Sequence, residues 1–338
     1  MRIILMAAGT GERLWPMSSP EKPKQFLTLF PHPRNPDHSV SMIQRVYAHL
    51  EALGKKDLVS IVTTEDLAPH VYDQLLNINV HVLPYRKDTF GSVAYAALDV
   101  AKRYSLQPDE PLLFLPVDHY TDESFYVHAL NLEKILRANA SAIGLLGISP
   151  TYPSTSYGYI QFASAPGRNY HKVYQFREKP GEKEAQMLYG QSVWNAGVFM
   201  FALETASKII PFFDVMRKFN VDRPGIKKWY DSLSNQSFDR EVLEKHTDIY
   251  VMRFSGKWED VGTWDRAMKY IPTQVLGEGD LVDCVNVNVV NSLPQPVIVA
   301  GLNDVAVVAT EQGIIVTKKS LAPKMKEFRN SRKEMNAI

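Results

Sequence analysis

Residues 6–26 read MAAGTGERLWPMSSPEKPKQF and emerge from an apolar run, Arg2 to Ala8, with the character of a strand buried on both faces. Gly9 and Gly11 admit backbone angles closed to other residues, so the chain can turn sharply there and bring its N–H groups up to an anion. Arg13 and Lys24 supply the charge that a phosphate attracts. Two common phosphate loops do not fit. A dinucleotide fingerprint needs a third glycine, where this chain has Leu14, and then a helix, where it has Pro16, Pro20 and Pro23. A P-loop needs Gly-Lys-Ser/Thr, which this segment lacks. What remains is a long, proline-stiffened anion loop directly behind a first strand.

Further short apolar runs follow at Leu58 to Thr63, Val80 to Leu83 and Leu112 to Val117. Between them, 41–53, 65–76 and 89–104 place apolar residues three and four apart, as helices do. Alternating strands and helices predict an α/β fold with a Rossmann-like, doubly wound, mostly parallel sheet, whose ligands lie beyond the carboxyl ends of the strands. Both the opening loop and PVDH at 116–119 occupy such ends. From Ser141 the pattern becomes β-rich, with AIGLLGI, YGYIQF, KVYQFREKP and WNAGVFMF, and helical spacing returns from Glu204 to Leu243. After Gly277 short β-rich runs separated by Asn, Pro and Gly predict a small appendage. The expected division is 1–270 and 278–338, with a basic, solvated helix over 324–338.

The 338 residues are enough for one large α/β domain with an appendage. A net charge of +1 offers no electrostatic basis for nucleic acid or a membrane surface as partner, so any bound anion must be held locally. Cys284 is the only cysteine, which excludes an internal disulfide and a cysteine-rich zinc site. No apolar run approaches membrane-spanning length and the start does not read as a signal peptide, so the expected location is cytoplasmic.

Read as G-x-G-x-R-L-x-P followed by Pro-Lys, the residues Gly9, Gly11, Arg13, Leu14, Pro16, Pro23 and Lys24 resemble the signature loop of the sugar nucleotidylyltransferases. PKQFL is similar to the mannose-1-phosphate guanylyltransferase branch of that family. FLPVDHYTDE, YGYIQ, FREKP, WNAGVFMF, SFDREVLEK and WEDVGTW resemble the family's later motifs and occur in the family's order, so that the likeness spans about residues 3 to 265. GLNDVAVVATEQGIIVTKK is similar to the strands that open the family's left-handed β-helix-like appendage. Three places depart from the pattern: Ala8, Ser156 before Tyr157, and YRKDTFGS at 85–92, where Asp88 and Thr89 align with the family's Asn-Thr but Lys87, Phe90, Gly91 and Ser92 do not match.

The resemblance implies attack of a sugar 1-phosphate on the α-phosphorus of a nucleoside triphosphate, with GTP and mannose 1-phosphate as substrates and Mg²⁺ as cofactor. It places the nucleotide against Ala7, Ala8, Gly9, Thr10, Gly11, Asp88 and Thr89, and makes Arg13 and Lys24 the catalytic cations. It places the sugar phosphate against Gly158, Glu178, Lys179 and Asn195, and the metal on Asp118 and Asp260. Taken singly, an aspartate at a strand end is a cap and an Arg-Glu-Lys run a solvated surface. Trp15, Trp194, Trp258 and Trp264 read as packing residues, and His119 as a structural histidine or a neighbour that orients Asp118. A sibling enzyme for another base or sugar is the alternative reading, and a non-catalytic nucleotide-sugar sensor ranks below it because the loop cations and both aspartates are retained. Unpaired strand edges in the appendage predict a homodimer.

Overall fold

The computed structural model describes residues 1–164, 167–219, 221–325, 327 and 328, which form two compact units interleaved along the chain. The first comprises Met1–Ala8, His49–Pro116 and Thr121–Trp258; the second comprises Gly9–Ala48, Val117–Tyr120 and the chain from Glu259 onward.

A nine-stranded sheet organises the first unit. Its strands are β1 (Arg2–Met6), β2 (Val59–Thr64), β3 (Asn79–Leu83), β4 (Pro111–Pro116), β5 (Ile143–Ile148), β6 (Tyr159–Ala163), β7 (Tyr170–Arg177), β8 (Val193–Ala202) and β9 (Ile249–Phe254). They lie in the order β3-β2-β1-β4-β8-β5-β9-β7-β6. The first four are parallel, joined through helices that include Ala68–Gln74 and Thr89–Arg103. Beyond β4 the expected mostly parallel sheet gives way to a mixed one. β8 runs antiparallel to β4 and to β5, β9 is parallel to β5, and β7 is antiparallel to both β9 and β6. For β6 and β7 the reason lies in spacing along the chain: a parallel pair needs a crossover of a dozen or more residues, and these two strands are too close in sequence for one.

The helix Thr89–Arg103 shows how sequence sets this packing. Asp88 caps its start by accepting a hydrogen bond from Thr89 N, and Lys102 and Arg103 sit in its last turn, where the dipole favours cations. Its buried face is rich in alanine, which lets the helix approach closely. At the centre of the core, Phe114 of β4 stacks on Phe199 and Phe201 of β8, with ring centroids 5.0 and 5.3 Å apart. β8 carries a bulge: Asn195 pairs with Gly147 and Phe199 with Leu145, so one strand gains residues over the other.

In the second unit the C-terminal strands are β10 (Val275–Leu276), β11 (Gly279–Val282), β12 (Asn288–Asn291), β13 (Val297–Ala300), β14 (Val305–Thr310) and β15 (Gly313–Lys318). β10, β12 and β14 pair in parallel, β15 closes the row antiparallel to β14, and β11 pairs in parallel with β13. Several partners lie one coil of eighteen residues apart: Gly279 with Val297, Val285 with Asn303, Asn288 with Ala306. Val290, Ala306 and Val308 share a core with Leu14, Leu27, Leu29, Phe30 and Trp264. By compactness the signature loop groups with the C-terminal strands, because its apolar residues are buried against them. Gly313 lies against Trp15, where a Cβ would come within 2.9 Å of the indole. The Thr310 hydroxyl donates to the Pro16 carbonyl and Trp264 Nε1 to the Trp15 carbonyl. Most of the helix expected over 324–338 lies outside the described residues. Among the described residues, no helix is long and apolar enough to cross a membrane.

Phe114 is fully buried and stacked on two rings, so Phe114→Ala should cost about 3–5 kcal/mol of stability, measured by urea denaturation. A loss below about 1 kcal/mol would show that the aromatic stack is not the centre of this core.

Candidate active site

The signature loop folds back on itself. Gly11 has φ +48°, and a Cβ there would lie 2.8 Å from both Cγ and the backbone N of Lys24. Lys24 N donates to the Gly11 carbonyl and the Gln25 side-chain amide donates to the Gly9 carbonyl. Gly9 and Thr10 are exposed, and the space beside Gly9 is open. The loop thus presents backbone to solvent on one side and clamps Lys24 on the other.

Lys24 is the hub. Its side chain is 5% exposed, and its Nζ lies 3.1 Å from Asp118 Oδ2 and 3.1 Å from Asp260 Oδ1. Asp118 follows β4 at its carboxyl end, and Asp260 ends the short strand Trp258–Asp260. Arg13, 49% exposed, reaches Asp260 Oδ2 at 3.6 Å, and a Cβ on Gly262 would lie 2.9 Å from Asp260 Oδ1 and 3.0 Å from the guanidinium. His119 Nε2 lies 3.7 Å from Asp118 Oδ1. Burial alone would lower the proton affinity of Lys24, but the two carboxylates outweigh it and hold the ammonium charged. Burial would raise Asp260, yet Lys24, His119 and Arg13 keep it well below the ordinary carboxylate range. Asp118 is lowered against burial in the same way, chiefly by Lys24. Four residues predicted from sequence, Arg13, Lys24, Asp118 and Asp260, are therefore one electrostatic assembly, with His119 as its fifth member.

In the first unit a second group forms around the bulge of β8. Asn195 N donates to the Gly158 carbonyl, and a Cβ on Gly158 would meet Glu178 Oε2 at 2.7 Å. Glu178 pairs with Lys179 at 3.0 Å, and Lys179 adopts φ +45°, a conformation that costs a non-glycine residue energy and recurs at ligand sites. Gly158, Glu178, Lys179 and Asn195 thus come together as expected. They bring with them a residue that sequence reading does not single out, Asp239, whose Oδ1 accepts from Asn195 Nδ2 at 2.6 Å. The signal is within reach, since Asp239 lies in the SFDREVLEK motif. Beside this group Tyr157 packs against Trp194 and Trp258, so these two indoles serve in an aromatic cluster; Trp264 is fully buried in the core of the second unit.

Ala7 and Ala8 continue beyond β1, where Ala7 bonds the backbone of Val62 and accepts from the Thr63 hydroxyl. Asp88 and Thr89 occupy the start of the helix Thr89–Arg103, and both are tied to 235–238: Asp88 N donates to Asn235 Oδ1, and the Thr89 hydroxyl accepts from Phe238 N. Lys87 explains part of the departure at 85–92. Its Nζ donates to the carbonyls of Tyr230, Asp231 and Leu233, capping the end of the helix Arg223–Ser232, while Gly91 leaves room for the Lys87 stem and the Tyr230 ring.

Comparison with known proteins places this geometry. Residues 2–273 match the family described as nucleotidyl transferase. The chain is 29% identical over 351 residues to a mannose-1-phosphate guanylyltransferase of Klebsiella pneumoniae, covering 96% of this chain and 72% of that protein. It is 30% identical over 356 residues to mannose-1-phosphate guanylyltransferase 2 of Escherichia coli O157:H7, covering 94% and 70%. Among solved structures, one titled mannose-1-phosphate geranyltransferase from Thermus thermophilus superposes with a TM-score of 0.81 at 26% identity, covering 98% of this chain and 99% of that one. A match spanning the loop, both aspartates and the whole nine-stranded sheet means that the chain belongs to the nucleotidyl transferase family.

Proposed function

We propose that this protein transfers a guanylyl group from GTP to mannose 1-phosphate, giving GDP-mannose and pyrophosphate. The observation that carries the reading is the buried Lys24 ammonium held between Asp118 and Asp260, with Arg13 beside it, in a chain similar to named mannose-1-phosphate guanylyltransferases. In-line displacement at phosphorus needs positioning and charge neutralisation more than a covalent nucleophile. The sugar phosphate is already ionised near neutral pH, so no general base is required.

In this reading Ala7, Ala8, Gly9, Thr10, Gly11, Asp88 and Thr89 bind the nucleotide. Arg13 neutralises the departing pyrophosphate, and Lys24 serves the α-phosphate and the incoming phosphate. Gly158, Glu178, Lys179 and Asn195 hold the sugar phosphate. Asp118 and Asp260 both contact Lys24 Nζ, so the two carboxylates lie close enough together to share a hard divalent ion beside that ammonium. Among the described residues no cluster of three or more acidic, His or Cys side chains is arranged to hold a metal, and Mg²⁺ asks for none, since it takes one or two carboxylates plus phosphate oxygens and water. When bound there, Mg²⁺ supplies Lewis-acid polarisation of phosphate oxygens.

The reading extends to a catalytic domain over 1–270 and a β-helix-like appendage over 278–338, in a cytoplasmic homodimer. The eighteen-residue coil of parallel partners supports a solenoid, whose rungs stack in this way. Among the described residues β15 is the edge of its sheet, and it exposes Ile314 and Val316, so that side offers apolar surface and strand backbone to a second copy.

Pyrophosphate release should be fastest with GTP, mannose 1-phosphate and Mg²⁺ when the four nucleoside triphosphates are each paired with mannose and glucose 1-phosphates. Turnover by another pair with none for GTP and mannose 1-phosphate would overturn the assignment in favour of a sibling activity. Arg13→Gln and Lys24→Gln should each lower kcat by a factor equivalent to about 2.7–4 kcal/mol. Arg13→Gln should leave the thermal midpoint nearly unchanged, because a half-exposed pair contributes only about 0–1 kcal/mol. Equal kcat values for wild type and both variants would remove the two cations from the mechanism. Light scattering should give a dimer for the wild type and half that mass for the double variant Ile314→Lys, Val316→Lys; an unchanged mass would exclude β15 as the interface.

A further inference from the structure

Asp239 opens a π-helical turn, Asp239–Leu243, a rare conformation that clusters at functional sites. Its neighbours make the turn more than a connector. The preceding residue, Phe238, donates its N–H to the Thr89 hydroxyl, and its ring stacks on Phe199 at 4.3 Å. The backbone before Asp239 is thereby fixed, and the carboxyl meets the amide of Asn195 on the bulge of β8 at 2.6 Å. From the other side, Gly197 N donates to Asn195 Oδ1 at 3.1 Å. These two bonds define which end of the amide is which, because the Gly197 N–H needs the oxygen and the Asp239 oxygen needs the nitrogen. One N–H and one lone pair of Asn195 stay available to a ligand hydroxyl.

We propose that Asp239 is a positioning residue of the sugar 1-phosphate site: it locks the Asn195 amide in one orientation and sets how much negative charge that site carries. The inference rests on the assignment of Gly158, Glu178, Lys179 and Asn195 to the sugar phosphate. The groups that face the Asp239 carboxyl are Glu178 and Lys179, beyond β7, and Asn195 of β8; Arg240 and Glu241 flank it on its own turn. Burial, reinforced by the Glu178 carboxylate, pushes Asp239 up to about 7, against the smaller opposing pull of a hydrogen bond from its own backbone N–H, then of Lys179 and Asn195. Below that pH the carboxyl is neutral and Lys179 balances Glu178. Above it a second negative charge appears where a dianionic ligand has to bind, so affinity for a sugar phosphate falls as pH rises.

The test compares wild type with Asp239→Asn, which keeps an acceptor for Asn195 and cannot ionise, and with Asp239→Leu, which has no acceptor. KM for mannose 1-phosphate in the wild type should rise by up to about tenfold per pH unit above 7. In Asp239→Asn it should stay flat from pH 6.5 to 8.5, and in Asp239→Leu it should be raised at every pH. KM for GTP should be unchanged in all three, which a general loss of structure would not produce. Identical pH profiles in wild type and Asp239→Asn would overturn the proposal. A wild type that neither turns over nor binds a sugar 1-phosphate would instead defeat the underlying assignment of the site.

A second measurement reports on the Asp239 proton without any substrate. The ordinary value of the group is 3.8, and its folded-state value is raised, so the stability it contributes is complete below about pH 3.8 and is lost as pH climbs toward 7. The thermal midpoint of Asp239→Asn should therefore gain on that of the wild type from pH 4 to pH 8. A difference that does not change with pH would overturn the charge-setting role.

Discussion

An ammonium buried between two carboxylates is the constraint around which the signature loop is built. Taking three charges largely out of water is costly, and the mutual attraction repays that cost only if the geometry is tight and each charge has its partner. Lys24 meets this condition with two equal contacts, Arg13 adds positive charge beside Asp260, and the His119 imidazole lies beside Asp118. The loop's sequence serves the same condition. Gly11 must be glycine so that the Lys24 backbone can close on it, and Gly262 leaves space for the guanidinium over Asp260.

The first half of the sheet is legible because buried parallel strands announce themselves as unbroken apolar runs separated by amphipathic helices. Ile3, Ile4 and Leu5 are fully buried, as such a run requires. The second half is not legible to the same depth. AIGLLGI and WNAGVFMF are recognisable as strands, but direction is set by pairing partners far away in sequence, and nothing in WNAGVFMF says that it will run antiparallel on both sides. The grouping into compact units is hard to read from sequence for a related reason. Composition changes near Gly277, yet the residues that share a core with β12 and β14 include Leu14 and Phe30, more than two hundred and fifty positions earlier.

Site residues are readable where a motif carries charge into an apolar setting, as with Lys24, Asp118 and Asp260. Asp239 escapes because its importance is relational. In the sequence it is one acid among the charges of SFDREVLEK, and only the fold brings it to Asn195 and Glu178. The departure at 85–92 is instructive in the opposite direction. Lys87 reads as a loss of pattern, whereas its three carbonyl contacts join this segment to 230–233, and Thr89 joins it to Phe238. A change that breaks a motif locally is here part of a consistent set of contacts.

The seat of Trp15 on Gly313 ties local opening of the signature loop to the C-terminal strands. The backbone at Trp15 cannot lift away without giving up the hydrogen bond that its carbonyl accepts from Trp264, and the Pro16 carbonyl is held by Thr310 at the end of β14. Opening the loop therefore means breaking contacts to these strands, a free-energy cost that a surface loop without such partners would not carry. A side chain at Gly313, set against the Trp15 indole, would therefore press on the loop that carries Arg13 and Lys24.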